Sequence, residues 1–396
     1  MAEVRDVVIV SAARTPIGCF LGALSTVPAP RLGALVIEAV LERAGVPKED
    51  VDEAIMGCVL PAGQGQAPAR QAALGAGLPP EVECMTVNKV CGSGLKSVML
   101  AAQATALGHA EIIVAGGMEN MTLAPHYVQS NRTGTKMGDW TLKDGMVYDG
   151  LWDPYNDFHM GNCAEHCASE HSIPREEQDA FAIDSYRRTQ AAIEQGLFKR
   201  EIVPVPVPQR KGDPVMVDTD EEPGRVNFDR IPTLRPAFRK DGSVTAANAS
   251  SINDGAAAVL VMSADEAARR GIAPMARIVS QASAAQEPIW FTTAPAAAIK
   301  KALDRAGWTA DDVDVFEINE AFAVVSLINN RLLGLDPAKV NLRGGAVALG
   351  HPIGASGARV LVTLLHIMQD EGLRRGLASL CIGGGEAATL IVEAAS

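Results

Sequence analysis

LERAGVPKEDVD at residues 41–52 and LDRAGWTADDVD at residues 303–314 are two versions of one pattern. Each reads as the end of an amphipathic helix, a glycine stop at Gly45 or Gly307, and an acidic turn. Each leads into an apolar stretch, EAIMG or VFEIN, that reads as a strand. Further out, GHAEIIVAGG (108–117) pairs with GLASLCIGGG (376–385), and between these landmarks CGSGLK from Cys91 sits opposite GASGAR from Gly354. The separation is 262 residues at the first pair and 268 at the last, so the correspondence is an internal duplication and not a chance match.

Each half therefore reads strand, helix, strand, helix, strand, with apolar strands such as VVIVSA and IIVAGG suited to a sheet covered on both faces. The halves are expected at about 1–120 and 271–396. Between them, 121–270 is rich in Met, Pro, His and charge, with one helix expected from Arg175 to about Gln195 and Pro-punctuated extended runs elsewhere. It reads as an insertion over the crevice between the halves, where open α/β folds bind ligands.

Composition narrows the function. The 396 residues are 47% hydrophobic but only 4% aromatic, and such small side chains suit tightly packed layers. A net charge of −12 argues against nucleic acid or an acidic membrane surface as partner, since both attract basic proteins. No apolar run approaches the roughly 20 residues that span a bilayer. The start, MAEVRDVVIVSAARTP, enters a strand-like run directly and resembles neither a signal nor a transit peptide. Seven cysteines, an odd number scattered over a long chain, point to a reduced, cytoplasmic interior.

NKVCGSGLKS (88–97) places Cys91 at a helix entrance, among small residues. A helix N-terminus lowers a thiol pKa, and glycines at 92 and 94 leave room for a substrate and free N–H groups for an oxyanion. If the halves stack about a pseudo-twofold, the loop GHPIGASG (350–357) faces Cys91 and offers His351 as its base. Cys381 ends the matching strand before three glycines and is a candidate second proton carrier. In EINEAFA (317–323), Asn319 can hold a water or a carbonyl oxygen, and Glu320 can orient a neighbour or cap the helix. Singly, each of these is as well explained as packing or loop. Together they fall at corresponding ends of a duplicated fold.

NKVCGSGLKS, IVAGGMENMT, NEAFA, GGAVALGHPIGASGAR and CIGGG, in this order from Val7 to Val392, resemble the thiolase family, best its biosynthetic acetoacetyl-CoA branch. The resemblance implies duplicated α/β/α/β/α layers with an inserted loop domain, and reversible condensation of two acetyl-CoA to acetoacetyl-CoA and free CoA. It implies Cys91 as the nucleophile carrying the acetyl thioester and His351 as its activator. Asn319 would hold an oxyanion water, Cys381 would move the α-proton, and the N–H groups of Cys91 and Gly383 would form a second oxyanion hole. His159 and Met160 would lie along the pantetheine and acyl group, Ser250 on the pantetheine arm, and Arg225 among the cations for the 3′-phospho-ADP end. The stretch 124–141 matches the loop that joins two dimers into a homotetramer.

Phe291 stands where potassium-activated members that accept 2-methylacetoacetyl-CoA carry a phenylalanine. Tyr186, Ala246, Ala247, Ala249 and Val347 fall where that subgroup holds potassium. Three residues depart from the family pattern: Trp290, bulky enough to narrow the acyl pocket; Glu386, a charge near Cys381; and Arg343, a further phosphate or dimer contact.

Other readings compete. In HMGNCAEHCASEH, the residues His159, Cys163, Cys167 and His171 have the i, i+4 spacing of soft metal ligands, but four ligands on one helix do not converge tetrahedrally on one ion. Ketosynthases share the duplicated architecture but commonly pair two histidines, and this chain has Cys381 in that place. A thiolase for longer 3-ketoacyl chains differs only in the pocket volume.

Overall fold

The computed structural model describes residues 4–129 and 131–395. Nine strands carry the architecture: β1 (Val7–Arg14), β2 (Glu53–Gly57), β3 (Glu83–Val87), β4 (Ile112–Asn120), β5 (Asn253–Ser263), β6 (Ala276–Ala285), β7 (Val315–Ile318), β8 (Arg375–Ile382) and β9 (Glu386–Ala394). They lie side by side in the order β7-β8-β9-β6-β1-β5-β4-β2-β3, with the short strand Gly18–Cys19 added beside the start of β5.

The order contains the duplication. β3-β2-β4-β5-β1 forms one half-sheet and β7-β8-β9-β6 the other, and Val340 bridges Phe316 in parallel where β3 would recur. Within the sheet the halves meet where β1 pairs with β6 at Val8–Arg277 and Ile9–Ala276. β2 is parallel to β3 and β4, β7 is parallel to β8, and the other pairings are antiparallel.

Alternation along β1 shows what each face covers. Val8 and Val10 join a core beneath helix α1 (Ala29–Ala44), while Val7, Ile9 and Ala12 join a second core on the opposite face. That second core is built on helices α2 (Ser93–Ala106) and α7 (Ile353–Glu371), which pack on each other between the half-sheets. Helix α5 (Ala294–Ala306) covers the outside of the second half as α1 covers the first. Both end at the expected glycines, with Gly45 at φ 63° and Gly307 at φ 68° in the left-handed region that ends helices without a side-chain penalty.

The two central helices touch backbone to backbone. A β-carbon on Gly94 would lie 2.7 Å from the Ala358 nitrogen, and one on Gly357 would lie 2.3 Å from the Leu95 nitrogen. At Gly92 it would strike the Ile382 side chain. The glycines after Cys91 therefore clear space for another part of the protein, not for substrate as the sequence suggested. Gly357→Ala should cost about 1–3 kcal/mol through overpacking, read as a lowered thermal midpoint; an unchanged midpoint would show that the helices separate freely.

The inserted segment holds α3 (Met160–Glu170) and α4 (Arg175–Glu194), the latter where expected. Its sequence boundary at 270 needs correction, because β5 lies mid-sheet, bonded to β1 and β4. NDGAAAVLVMS is buried throughout, so no period distinguishes it from an apolar run of the insertion. We place the end of the insertion near 252.

Candidate active site

The nucleophile candidate stands on a strained turn. Val90 has φ 45°, a conformation costing a β-branched residue on the order of 1–3 kcal/mol. Polar side chains of the same turn hold it there. Asn88 Oδ1 accepts from the Val90 nitrogen at 3.0 Å, and Ser93 Oγ accepts from the Lys89 nitrogen at 2.9 Å and donates to the Val90 carbonyl at 2.6 Å. Cys91 follows, two residues before α2, and lines a pocket of about 260 Å³.

His351 stands two residues before α7, so it and Cys91 hold equivalent places in the repeat. Its nitrogen donates to Asn253 Oδ1 at 2.9 Å, and its Nδ1 meets Ser356 Oγ at 2.6 Å. The preceding residue must be glycine: Gly350 has φ 103°, and a β-carbon there would fall 2.2 Å from the Asn253 carboxamide carbon. The other ring nitrogen, Nε2, has no partner among the described residues, and the ring lines the pocket with Cys91. Burial, with the charge of Arg359 second, pushes its pKa down to about 3, so the imidazole is neutral at physiological pH.

Burial also decides the thiols. It pushes Cys91 up to about 11, against the partial relief of N–H groups from Gly383 and from Cys91 itself. The expectation that the helix entrance lowers this pKa is overturned, because desolvation of a thiolate at this depth outweighs the helix end. The resting pair is thiol and neutral imidazole. Inactivation by iodoacetamide should therefore keep accelerating from pH 8 to pH 10, as the thiolate fraction rises toward a pKa near 11. A plateau below pH 8 would indicate a resting thiolate.

Cys381, near the end of β8, is fully buried; burial raises its pKa well above the ordinary value, and the charge of Cys91 raises it further. The two sulfurs are thus electrostatic neighbours, and Gly383, two residues on, also lines the pocket. Asn319 follows β7, fully buried behind the pocket wall. Its nitrogen donates to the Ser379 carbonyl at 2.9 Å, and its Nδ2 has no partner among the described residues. Glu320 is an orienting residue and not a cap, accepting from Ser185 Oγ at 2.7 Å, Asn341 Nδ2 at 2.9 Å and the Val347 nitrogen at 3.1 Å.

His159, Met160, Ser250 and Phe291 all line the pocket. His159 caps α3, its Nδ1 accepting from the Gly161 nitrogen at 3.0 Å, and its ring stacks on Phe238 at 4.8 Å. Ser250 Oγ donates to the Ala321 carbonyl at 2.8 Å. Phe291 meets Phe322 edge-on at 6.3 Å, forming an aromatic wall. Arg225 is not brought to the pocket; it is exposed, beside Cys19 and Glu222. Tyr186 and Val347 share one buried cluster, Ala247 is buried, Ala249 is buried at the pocket wall, and Ala246 is exposed.

Two of the three residues that depart from the family pattern, Trp290 and Arg343, are engaged away from the places the sequence suggested, while Glu386 pairs in register with Ile382, beside Cys381. Trp290 lies against the His166 and His171 rings at 4.6 and 5.7 Å and does not line the acyl pocket. Glu386 is ion-paired with Lys89, next to the strained turn. Arg343 is buried, bonding Asp370 at 2.7 Å and the Leu197 carbonyl at 3.1 Å. The residues of the metal reading go separate ways: Cys163 approaches Asp153 at 3.7 Å, His159 stacks on Phe238, and His171 meets Trp290. All seven cysteines are free thiols.

One residue that sequence reasoning passed over holds the halves in register. The buried Glu119 carboxylate accepts from the Val59, Leu60 and Gly354 nitrogens at 3.0, 3.2 and 2.8 Å, tying the His351 loop to the first half. Its pKa rises to about 7 through burial. It lies inside the motif IVAGGMENMT, where a lone acid beside two glycines was the signal that could have found it.

This duplicated fold, with a pocket carrying a thiol, an imidazole and a Gly-rich strand end, defines an acyl-transfer enzyme built from two like halves. The chain belongs to the thiolase family: residues 7–265 match the thiolase N-terminal domain and residues 272–394 the thiolase C-terminal domain. It is 58% identical over 389 residues to an acetyl-CoA acetyltransferase of Cupriavidus necator, covering 98% of this chain and 99% of that one. A Pseudomonas aeruginosa acetyl-CoA acetyltransferase is 56% identical over 387 residues, 98% of each chain. The crystal structure of the Bacillus anthracis acetyl-CoA acetyltransferase superposes with a TM-score of 0.97 at 41% identity, over 100% of both chains. Among the described residues no helix is long and apolar enough to cross a membrane.

Proposed function

We propose that this chain is an acetyl-CoA C-acetyltransferase, interconverting two acetyl-CoA with acetoacetyl-CoA and free CoA. The observation that carries the reading is the convergence of Cys91, His351 and Gly383 on one pocket, with Cys381 as neighbour to the Cys91 sulfur.

Cys91 Sγ attacks the thioester carbon of the first acetyl-CoA as His351 Nε2 takes its proton. The oxyanion forms where the Cys91 and Gly383 N–H groups already meet the sulfur. CoA leaves with the proton, and Cys91 keeps the acetyl group. A cysteine thioester and a CoA thioester are nearly isoenergetic, so the transfer runs both ways; a serine ester would be a sink.

Cys381, its own proton passed to His351 Nε2, then removes the α-proton of the second acetyl-CoA. The enolate oxygen is held by His351 Nε2–H and by a water donating from Asn319, whose unpaired amide suits that task. The enolate carbon attacks the acetyl carbon, acetoacetyl-CoA leaves, and the Cys91 sulfur takes its proton from His351 Nε2. The wall of Phe291 and Phe322 favours short acyl chains over longer 3-ketoacyl groups.

Potassium and the 2-methyl substrate belong to the same reading. Burial, then Glu222, Cys19 and Glu320, hold the Tyr186 phenol above its ordinary pKa, so its hydroxyl lies in a negative field that fits a monovalent cation. Tyr186, with backbone carbonyls of Ala246, Ala247, Ala249 and Val347, would hold the ion and steady the pocket wall at Ala249. We place the junction between dimers of a homotetramer on 124–141, which exposes Met137 and Trp140, and the enzyme in the reducing cytoplasm. The test is loss of acetoacetyl-CoA with and without CoA, in potassium and in sodium, with 2-methylacetoacetyl-CoA alongside. CoA-independent loss would overturn the reading, and equal rates in both salts would remove the potassium.

A further inference from the structure

A fully buried arginine stands behind the site, and beyond its charge acting on His351 it has no role in the reaction as described. Arg359 lies two turns into α7, with Glu317 and Asn319 opposite it. Glu317 and Asn319 are two residues apart along an extended segment, so both side chains leave it on the same side. Arg359 Nη2 donates to Asn319 Oδ1 at 3.4 Å, and its Nη1 lies 3.8 Å from Glu317 Oε2.

As a stabilising ion pair the arrangement is poor. Among the described residues, Arg359 Nε and Nη1 and Glu317 Oε1 have no hydrogen-bond partner. A buried pair this loosely bonded does not repay its desolvation. An apolar pair would serve the core better, so the guanidinium is explained by what it does to its neighbour.

A carboxamide has two edges of nearly the same shape, one accepting and one donating. Packing alone cannot choose between them. A guanidinium has five donors and no acceptor, so it admits only the carbonyl edge. With the Asn319 oxygen turned to Arg359, the amide NH2 is on the opposite edge, buried and unpaired.

We propose that Arg359, backed by Glu317, is a positioning residue: it fixes the Asn319 carboxamide so that the NH2, and not the carbonyl, is offered to the water that stabilises the enolate. This rests on the acetyltransferase reading above. A donor there leaves both water protons free and polarises one toward the enolate oxygen. A flipped amide would turn its negative edge toward that charge.

The step affected is enolate formation and not acetylation of Cys91, whose oxyanion rests on backbone N–H groups. The experiment compares Arg359→Gln, Arg359→Lys, Asn319→Ala and the double variant Arg359→Gln/Asn319→Ala. Arg359→Gln, whose amide meets either edge equally, should lower the condensation kcat about 10²-fold. Its KM for acetyl-CoA and its burst of acetyl-enzyme should stay within about twofold of wild type. Arg359→Lys, a donor-only cation, should restore most of the rate. In the Asn319→Ala background the Arg359→Gln loss should vanish, because there is no amide left to orient. Losses that multiply, a slowed burst, or Arg359→Lys no better than Arg359→Gln would overturn the proposal. Should Arg359→Gln fail to fold, the same cycle is run with Arg359→Lys, whose rate loss must disappear in Asn319→Ala. A wild-type enzyme that forms no acetyl-Cys91 would instead overturn the function on which the proposal rests.

Discussion

Cys91→Ala should be inert in both directions, with kcat reduced on the order of 10⁴-fold or more. The substitution removes one half-buried sulfur and leaves the turn made by Asn88, Lys89, Val90 and Ser93 with its hydrogen bonds, so the fold is retained. What disappears is the acyl carrier. His351 and Cys381 can still exchange protons, but condensation without an acyl-enzyme needs two CoA thioesters reacting directly in a pocket of about 260 Å³. Rapid quench with labelled acetyl-CoA should find no label on the variant. Label retained, or turnover within about tenfold of wild type, would take Cys91 out of the reaction.

Cys381→Ala should divide the reaction. Acetylation of Cys91 needs His351 and the Gly383 N–H, both kept, so the acetyl-enzyme should form at a near-normal rate. Condensation should fall by about 10²–10⁴-fold, the usual contribution of a positioned proton carrier. At rest Cys381 is held as thiol by burial. Equal loss of burst and of condensation in Cys381→Ala would mean that this thiol also serves the first step.

The repeat was legible because helix stops at Gly45 and Gly307 and the strands after them recur at a fixed interval, and because thiols and a histidine beside glycines are conspicuous. Depth was not legible. A helix entrance and a desolvated site act in opposite directions on Cys91, and only the packed structure shows which is larger. Val90 at φ 45° carries no signal in a β-branched side chain. The bonds Glu119–Gly354 and His351–Asn253 span 235 and 98 residues, and local reading cannot anticipate such partners. The same holds for β5, whose place mid-sheet depends on strands over 130 residues upstream.

The division of the site between the two halves has a consequence for how the enzyme is made. Cys91 is contributed by the first half, and His351 is synthesised 260 residues later. At common elongation rates of about 5–20 residues per second, that interval is about 13–52 s. The chain thus emerges with its proposed nucleophile as an ordinary thiol, not yet joined by His351. On the proposed mechanism, chemistry waits until α7 packs on α2 and Glu119 accepts from the Gly354 nitrogen, which would make completion of the polypeptide its own activation step.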